Sequence, residues 1–210
     1  MYFFITLFLI LLSILVYAVI SIRSGIFIKS INESETGKML LTFDDGPHEI
    51  YTPAVLDILN KYQIKAIFFC IGKNAERYPH LVKRISDEGH EIGNHTFHHN
   101  IKSTFKTWIR YKEEIDSTTN ILESLSVKKI KYFRPPFGIT NPSIAKAITR
   151  SGLKSMAWNI RTFDTIHKDA EKIVQKIERN LTNNSIILCH DTQEITPIYI
   201  ELFLNNLANR

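Results

Sequence analysis

Cysteine is nearly absent from this chain: among 210 residues only Cys70 and Cys189 occur, each inside an apolar run. A disulfide framework is therefore excluded, leaving two buried thiols with room for at most one bridge. Blocks of one charge are missing too. The net charge of +5 is spread along the sequence rather than gathered into Lys/Arg clusters. That removes the electrostatic footprint of a nucleic-acid binder and reads as solvated surface, compatible with a mild preference for anionic glycans or lipids. No internal repeat or low-complexity tract interrupts the chain. A composition of 44% hydrophobic and 22% charged residues at this length suits one single-core domain with a short appendage and leaves no space for two.

Charge is also absent before Arg23. The run from Tyr2 to Ile22 is almost wholly apolar, and at 1.5 Å per residue it is long enough to cross a hydrocarbon core of about 30 Å. A cleaved signal peptide would carry a basic start, a shorter apolar core and a small-x-small cleavage site. None of these is present, so residues 1–23 are expected to form an uncleaved membrane anchor. Because Arg23 and Lys29 follow the run and nothing basic precedes it, the flanking charges alone would keep the following domain in the cytoplasm. Residues 24–37 turn polar and read as a connector, and the folded domain is expected to occupy residues 38–210.

Beyond the connector, short apolar runs at Met39 to Phe43, Ala66 to Ile71, Tyr132 to Phe133, Ser155 to Trp158 and Ile186 to Cys189 predict buried strands. Helical signals lie between them. Thr52-Pro53 predicts an N-cap and first turn, Pro79 opens a helix that stops at Gly89, and Asn141-Pro142 opens another that stops at Gly152. Amphipathic stretches from about Thr104 to Leu125 and Asp169 to Leu181 complete an alternating βα order, which implies a parallel sheet or barrel with helices outside. In such folds reactive groups collect at the C-terminal ends of strands.

Four of the five runs end in candidate chemistry. Asp44 and Asp45 precede a Gly-Pro turn, and as a pair alone they also fit ordinary turn chemistry. His95 and His99 are four apart, so a helical turn or tight loop could aim both imidazoles at one point, with His98 an alternative. One carboxylate plus two histidines makes a three-ligand site with open positions, suited to zinc and also to ferrous iron, cobalt or manganese. The remaining aspartate could accept a proton from water activated there. His190 is a candidate general acid. Arg134, rigidly presented before Pro135-Pro136, could orient a catalytic carboxylate and keep it ionised. Trp158 and Phe137 could form a wall on which a sugar stacks, although single aromatics in apolar contexts also fit a core.

The set as a whole resembles the polysaccharide deacetylase family, the NodB homology domain of carbohydrate esterase family 4, over roughly Lys38 to Leu207. Leu41-Thr42-Phe43-Asp44-Asp45-Gly46-Pro47 resembles the first motif. The resemblance implies that Asp44 is the base and Asp45 a metal ligand. His95-Thr96-Phe97-His98-His99 is similar to the second motif, implying His95 and His99 as ligands of a divalent metal, zinc first. Arg134-Pro135-Pro136-Phe137-Gly138 resembles the third, in which the arginine orients the base and the backbone N–H of the aromatic residue, here Phe137, helps hold the oxyanion. The fourth motif departs most, with Arg161 where the family often has Asp and Thr165 where it commonly has Trp, while Asp164 remains to tune His190. Leu188-Cys189-His190 resembles the fifth. The implied fold is a distorted (β/α) barrel of about seven parallel strands, left open at the C-terminal side because the chain stops at Arg210.

The expectation is therefore a hydrolase that removes N-acetyl groups from an amino-sugar polysaccharide or oligosaccharide, anchored in a membrane with its domain facing the cell envelope, as is the family's habit. Two alternatives share the fold: a membrane-tethered glycan-binding protein without turnover, and a metal hydrolase acting on a non-sugar amide or an O-acetyl group. A non-haem iron oxygenase built on two histidines and one carboxylate would leave Asp44, Arg134 and His190 without roles.

Overall fold

Apolar runs too short for helices and bounded by turns become strands when both of their faces are covered. The computed structural model, which describes residues 2–209, contains seven of them in one sheet. In chain order the elements are α1 (Tyr2–Ile20), β1 (Leu40–Asp44), α2 (Tyr51–Lys61), β2 (Ile67–Cys70), α3 (Gly72–Arg77), α4 (Pro79–Asp87) and β3 (Glu91–Asn94). There follow α5 (Trp108–Ser126), β4 (Tyr132–Phe133), α6 (Pro142–Ser151), β5 (Lys154–Ser155), β6 (Ile160–Arg161), α7 (Ala170–Asn180), β7 (Ile186–His190) and α8 (Ile195–Ala208). The strand order is β5-β4-β3-β2-β1-β7-β6 and every pairing is parallel. The sheet curls into a half-barrel whose edge strands β5 and β6 do not pair.

β1, β2 and β7 lie at the centre, and of their residues only Leu40 is not fully buried. Leu41, Phe43, Phe68 and Ile187 point into the main core with the apolar faces of α2, α4, α7 and α8, while Tyr111, Ile115, Phe133, Ile144 and Ile148 form a second cluster beneath α5 and α6. Cys70 and Cys189 are free and buried. Asn141 opens α6 as the sequence predicts, capping it with its side chain, and Asp169, the start of the second amphipathic stretch, caps α7 in the same way.

Several boundaries differ from expectation for local reasons. Thr52 is not an N-cap, because α2 already begins at Tyr51; its buried hydroxyl instead accepts from the His48 N–H (2.7 Å) and donates to Asp191. The stretch from Thr104 divides into a 3-10 helix at Ile101–Phe105 and α5, since Thr107 is extended and caps α5 through the Arg110 N–H. The run Ser155 to Trp158 pairs only through Lys154–Ser155, with Met156 bridging Ile31 and Trp158 turned toward the reactive end of the sheet. β3, β6, α3 and α8 are elements that the periodic reading did not single out.

The helix α1 is long and apolar enough to cross a membrane. Residues 2–17 are exposed, and only its last turn meets the domain: the Thr140 N–H donates to the Val19 carbonyl (2.9 Å) and the Thr140 hydroxyl to that of Ala18 (2.8 Å).

Candidate active site

Parallel strands end together, and here the hydrogen-bond ladder continues one residue past them. Ile71 N–H donates to Gly46 O, His95 N–H to Cys70 O and Arg134 N–H to Asn94 O. The segments that follow β1 to β4 are thereby laid side by side at one rim. The Asp45 backbone is left-handed (φ 74°) and precedes a cis Gly46-Pro47 peptide. Gly46 is required by close approach, because a Cβ there would lie 2.2 Å from the Asp191 carboxylate.

This turn aims Asp45 away from the sheet and toward His95 and His99, which sit on a tight loop rather than a helix, with Thr96 and His99 both at positive φ. Asp45 Oδ1 lies 3.4 Å from His95 Nε2 and 3.3 Å from His99 Nε2. Donors of a tetrahedral ion bound at about 2.0–2.1 Å stand roughly 3.3–3.4 Å apart, so the set fits a divalent metal. The same Asp45 oxygen is buried without a hydrogen-bond donor among the described residues. His95 Nδ1 contacts the Arg134 carbonyl at 2.7 Å, which fixes a tautomer that leaves Nε2 as a free lone pair. His98 is spoken for elsewhere, 3.1 Å from Glu114.

Electrostatics favour the same protonation states. Burial alone would raise the Asp45 carboxyl, but its contact with His95 and the charges of His99 and His190 hold it well below the usual carboxylate range. Burial, reinforced by the neighbouring His95, lowers His99 to about 4, so its ring is neutral at pH 7.

Asp44 is the last residue of β1 and is buried. Arg134 Nη1 donates to its Oδ1 (2.6 Å) and to Thr42 Oγ1 (2.9 Å); Nε and Nη2 donate to the carbonyls of Met156 and Ala157. The guanidinium is fully buried, 4.1 Å over the Phe69 ring and 5.5 Å from Trp158. Four of its five N–H groups are thereby engaged, so Asp44 is held in one orientation with a compensating charge.

On the opposite wall, at the end of β7, His190 Nδ1 lies 2.7 Å from Asp164 Oδ1, and the His190 N–H donates to Asp164 Oδ2 (2.8 Å). Tyr199 and Thr196 of α8 also donate to Asp164. Burial by itself lowers the His190 pKa, but the hydrogen bond and charge of Asp164, with Asp44 and Asp45 adding, raise it to about 9. The imidazole is therefore protonated at pH 7 and its Nε2 is the free end.

Phe137, left-handed (φ 60°) and half exposed, lies against the His99 ring, with centroids 4.6 Å apart and planes tilted by 52°. Gly138 allows the close approach of Trp158, whose ring would be 2.8 Å from a Cβ there. These side chains, with Arg161 and Thr165, enclose a cleft of about 210 Å³. The structure thus gathers all nine candidates, Asp44, Asp45, His95, His99, Arg134, Phe137, Trp158, Asp164 and His190, around one cleft or directly behind it. Thr42, Asp191, Thr196 and Tyr199 are supporting residues that the sequence reading passed over. Thr42 stands inside the first motif; Tyr199 and Thr196 lie in α8 beside Glu201, Asn205 and Asn206 and carry no local signal that separates them from other polar positions of that helix.

The chain that builds this cleft is similar to known proteins. The family model for polysaccharide deacetylases matches residues 32–156. A peptidoglycan-N-acetylglucosamine deacetylase of Bacillus cereus is 38% identical over 156 residues, covering 74% of this chain and 56% of that protein. A chitooligosaccharide deacetylase of Azorhizobium caulinodans is 35% identical and covers 72% of each. Among solved structures, a peptidoglycan N-acetylglucosamine deacetylase in complex with a substituted N-oxidanyl-benzamide superposes with a TM-score of 0.79 at 32% identity, covering 86% of each chain. A family 4 carbohydrate esterase of Streptomyces lividans in complex with acetate gives 0.77 at 31%, covering 82% of this chain and 88% of that one. The fold alone is shared with a pseudoenzyme of family 4 from Bacillus anthracis (TM-score 0.79, 22% identity, covering 86% of this chain and 64% of that one). The chain spans 56% of the first of these relatives and 40% of a similar deacetylase from Listeria monocytogenes, which is 30% identical over 89% of this chain. With a family match across more than half of its length and a fold shared over 86% of the chain with a solved member, the chain belongs to the polysaccharide deacetylase family.

Proposed function

We propose that this protein is a metal-dependent deacetylase of N-acetylated amino-sugar glycan, with residues 1–23 as its membrane anchor, 24–37 as a connector and 38–210 as a catalytic domain on the envelope side. The observation that carries the reading is the convergence of three metal donors, a buried carboxylate–guanidinium pair and a carboxylate-supported imidazole on one small cleft. Relatives named for peptidoglycan N-acetylglucosamine and for chitooligosaccharide support the substrate class.

Asp45, His95 and His99 would hold the metal, zinc by the nature of the donors. When bound, such an ion polarises an amide carbonyl and acidifies water. The chain's own groups do the rest. Asp44, held in place by Arg134, takes the proton of the attacking water as the water oxygen bonds to the acetyl carbon. The backbone N–H of Phe137 faces the developing oxyanion, and His190 gives its proton to the sugar nitrogen as the carbon–nitrogen bond breaks. Acetate and a free amine leave. Phe137 and Trp158 form an apolar wall beside the sugar.

The test uses the full chain in detergent, with N-acetylglucosamine oligomers and peptidoglycan fragments, zinc or cobalt added and then chelated. Acetate release that needs metal and falls by about 10²–10⁴ in Asp44→Asn, at unchanged metal stoichiometry, is the expected result. Arg161 and Thr165 in the cleft favour a second reading, a glycan-binding protein without turnover. That reading predicts glycan affinity that survives Asp44→Asn and no acetate from the metal-loaded parent protein.

A further inference from the structure

Exposed large apolar side chains outside α1 are few, and three of them fall within nine consecutive residues: Ile101 (44% exposed), Phe105 (86%) and Ile109 (53%). Nothing in the fold covers them. Each is followed by a cation, Lys102, Lys106 and Arg110, all exposed. Lys106 pairs with Glu114 and Arg110 with Glu113, while Lys102 forms no ion pair among the described residues. Nor do Arg23, just beyond α1, and Lys146, which lies 4.5 Å over the half-buried ring of Trp108 in the same segment. Apolar tips interleaved with cations and a half-exposed tryptophan make a surface suited to the headgroup region of an anionic bilayer.

Position supplies the second argument. Thr140 binds the last carbonyls of α1, and the adjacent Asn141 donates from Nδ2 to the Thr104 carbonyl (2.7 Å). Two neighbouring residues therefore clamp the exit of the apolar helix on one side and the Ile101–Phe105 turn on the other. Ala18 and Ile22 are buried at this junction (1% and 2% exposed), and Ile22 approaches Gly138 in the loop that carries Phe137.

We propose that Ile101, Phe105 and Ile109, with Lys102 and its neighbouring cations, form a second membrane contact that seats the domain on the anionic surface of the bilayer entered by α1. This rests on the reading of α1 as a membrane anchor. Phe137 precedes Thr140 by three residues, so the contact holds the rim of the cleft at the membrane surface, where it meets glycan close to the bilayer.

The native thiols are buried and will not compete for a label, so the full chain can carry single fluorophores in Phe105→Cys, Val127→Cys and Leu11→Cys. Val127 is 90% exposed at the far end of α5, about 28 Å along the helix from Trp108. Each protein is reconstituted into vesicles of equal parts phosphatidylglycerol and phosphatidylcholine with brominated acyl chains. Loss of fluorescence at 105 but not at 127, weakened when phosphatidylglycerol is omitted, is the expected result. A label at 105 quenched no more than one at 127 overturns the proposal, as does one shielded from aqueous iodide without lipid quenching, which would give the surface to a second copy. The label at 11 separates the two readings: quenching there without quenching at 105 rejects only the contact, whereas its absence at both rejects the anchor as well.

Discussion

The pair formed by Asp44 and Arg134 shows how a single residue can serve structure and chemistry together. Arg134 is fully buried and its bonds go to the Asp44 carboxylate, the Thr42 hydroxyl and the carbonyls of Met156 and Ala157. Replacing it with Met leaves a carboxylate buried and unpaired, a change that costs about 3–5 kcal/mol. Urea titration of Arg134→Met should report that loss, whereas Asp44→Asn, which keeps a hydrogen-bond acceptor for the guanidinium, should lose turnover first. His190 makes a different prediction. Its folded pKa of about 9 stands above an unfolded value near 6.5. The stabilisation it receives from Asp164 is therefore complete below about pH 6.5 and disappears as pH rises through about 9. In metal-free protein, thermal unfolding between pH 6 and 10 should show this slope, and Asp164→Asn should flatten it. The same substitution should move the alkaline limb of kcat/KM to lower pH, because a proton donor without its carboxylate partner deprotonates earlier.

At the scale of elements, the loops after β1, β3 and β4 matter more than the strands. The Phe137-Gly138 turn has two consecutive residues at positive φ, and Gly138 has both a left-handed backbone and the Trp158 ring where a Cβ would go. Gly138→Ala should cost about 1–3 kcal/mol and displace Phe137 or Trp158. A greater loss in kcat/KM for oligomers than in metal affinity would place the damage on the glycan wall rather than on the metal donors. The elements legible in the sequence were those with a strong periodic or helix-start signal: β1, β2 and β7 from apolar runs, α4 and α6 from proline at their starts, α7 from its amphipathic period. β3 was missed because Glu91-Ile92-Gly93-Asn94 has no apolar run, and it is a strand only because β2 and β4 flank it on both sides. β6 is two residues long and owes its existence to β7. Its short span is also why Arg161 and Thr165 end up in the cleft rather than in a helix or the core.

Across the whole molecule, the metal site couples distant parts of the chain. Its donors come from the ends of β1 and β3, and the groups facing them from the ends of β4 and β7. An ion that binds only the folded chain, present at about a thousand times its Kd, stabilises by about 4 kcal/mol. For a domain of this size that corresponds to a melting temperature higher by on the order of 10 °C. Scanning calorimetry with zinc and after chelation should show the shift, and His99→Ala should abolish most of it. The motif residues, the apolar N-terminal segment and the alternation of strand and helix were determined by the sequence itself, since each depends on local composition and on spacing within a few residues. What only the tertiary structure decided is which groups meet: that His98 turns to Glu114, that Tyr199 and Thr196 reach back to Asp164, and that Thr140 catches the end of α1. Those contacts join residues between 16 and 122 positions apart, and no local pattern encodes such a pairing, because it arises when the curling of one parallel sheet brings separate strand ends to a common rim.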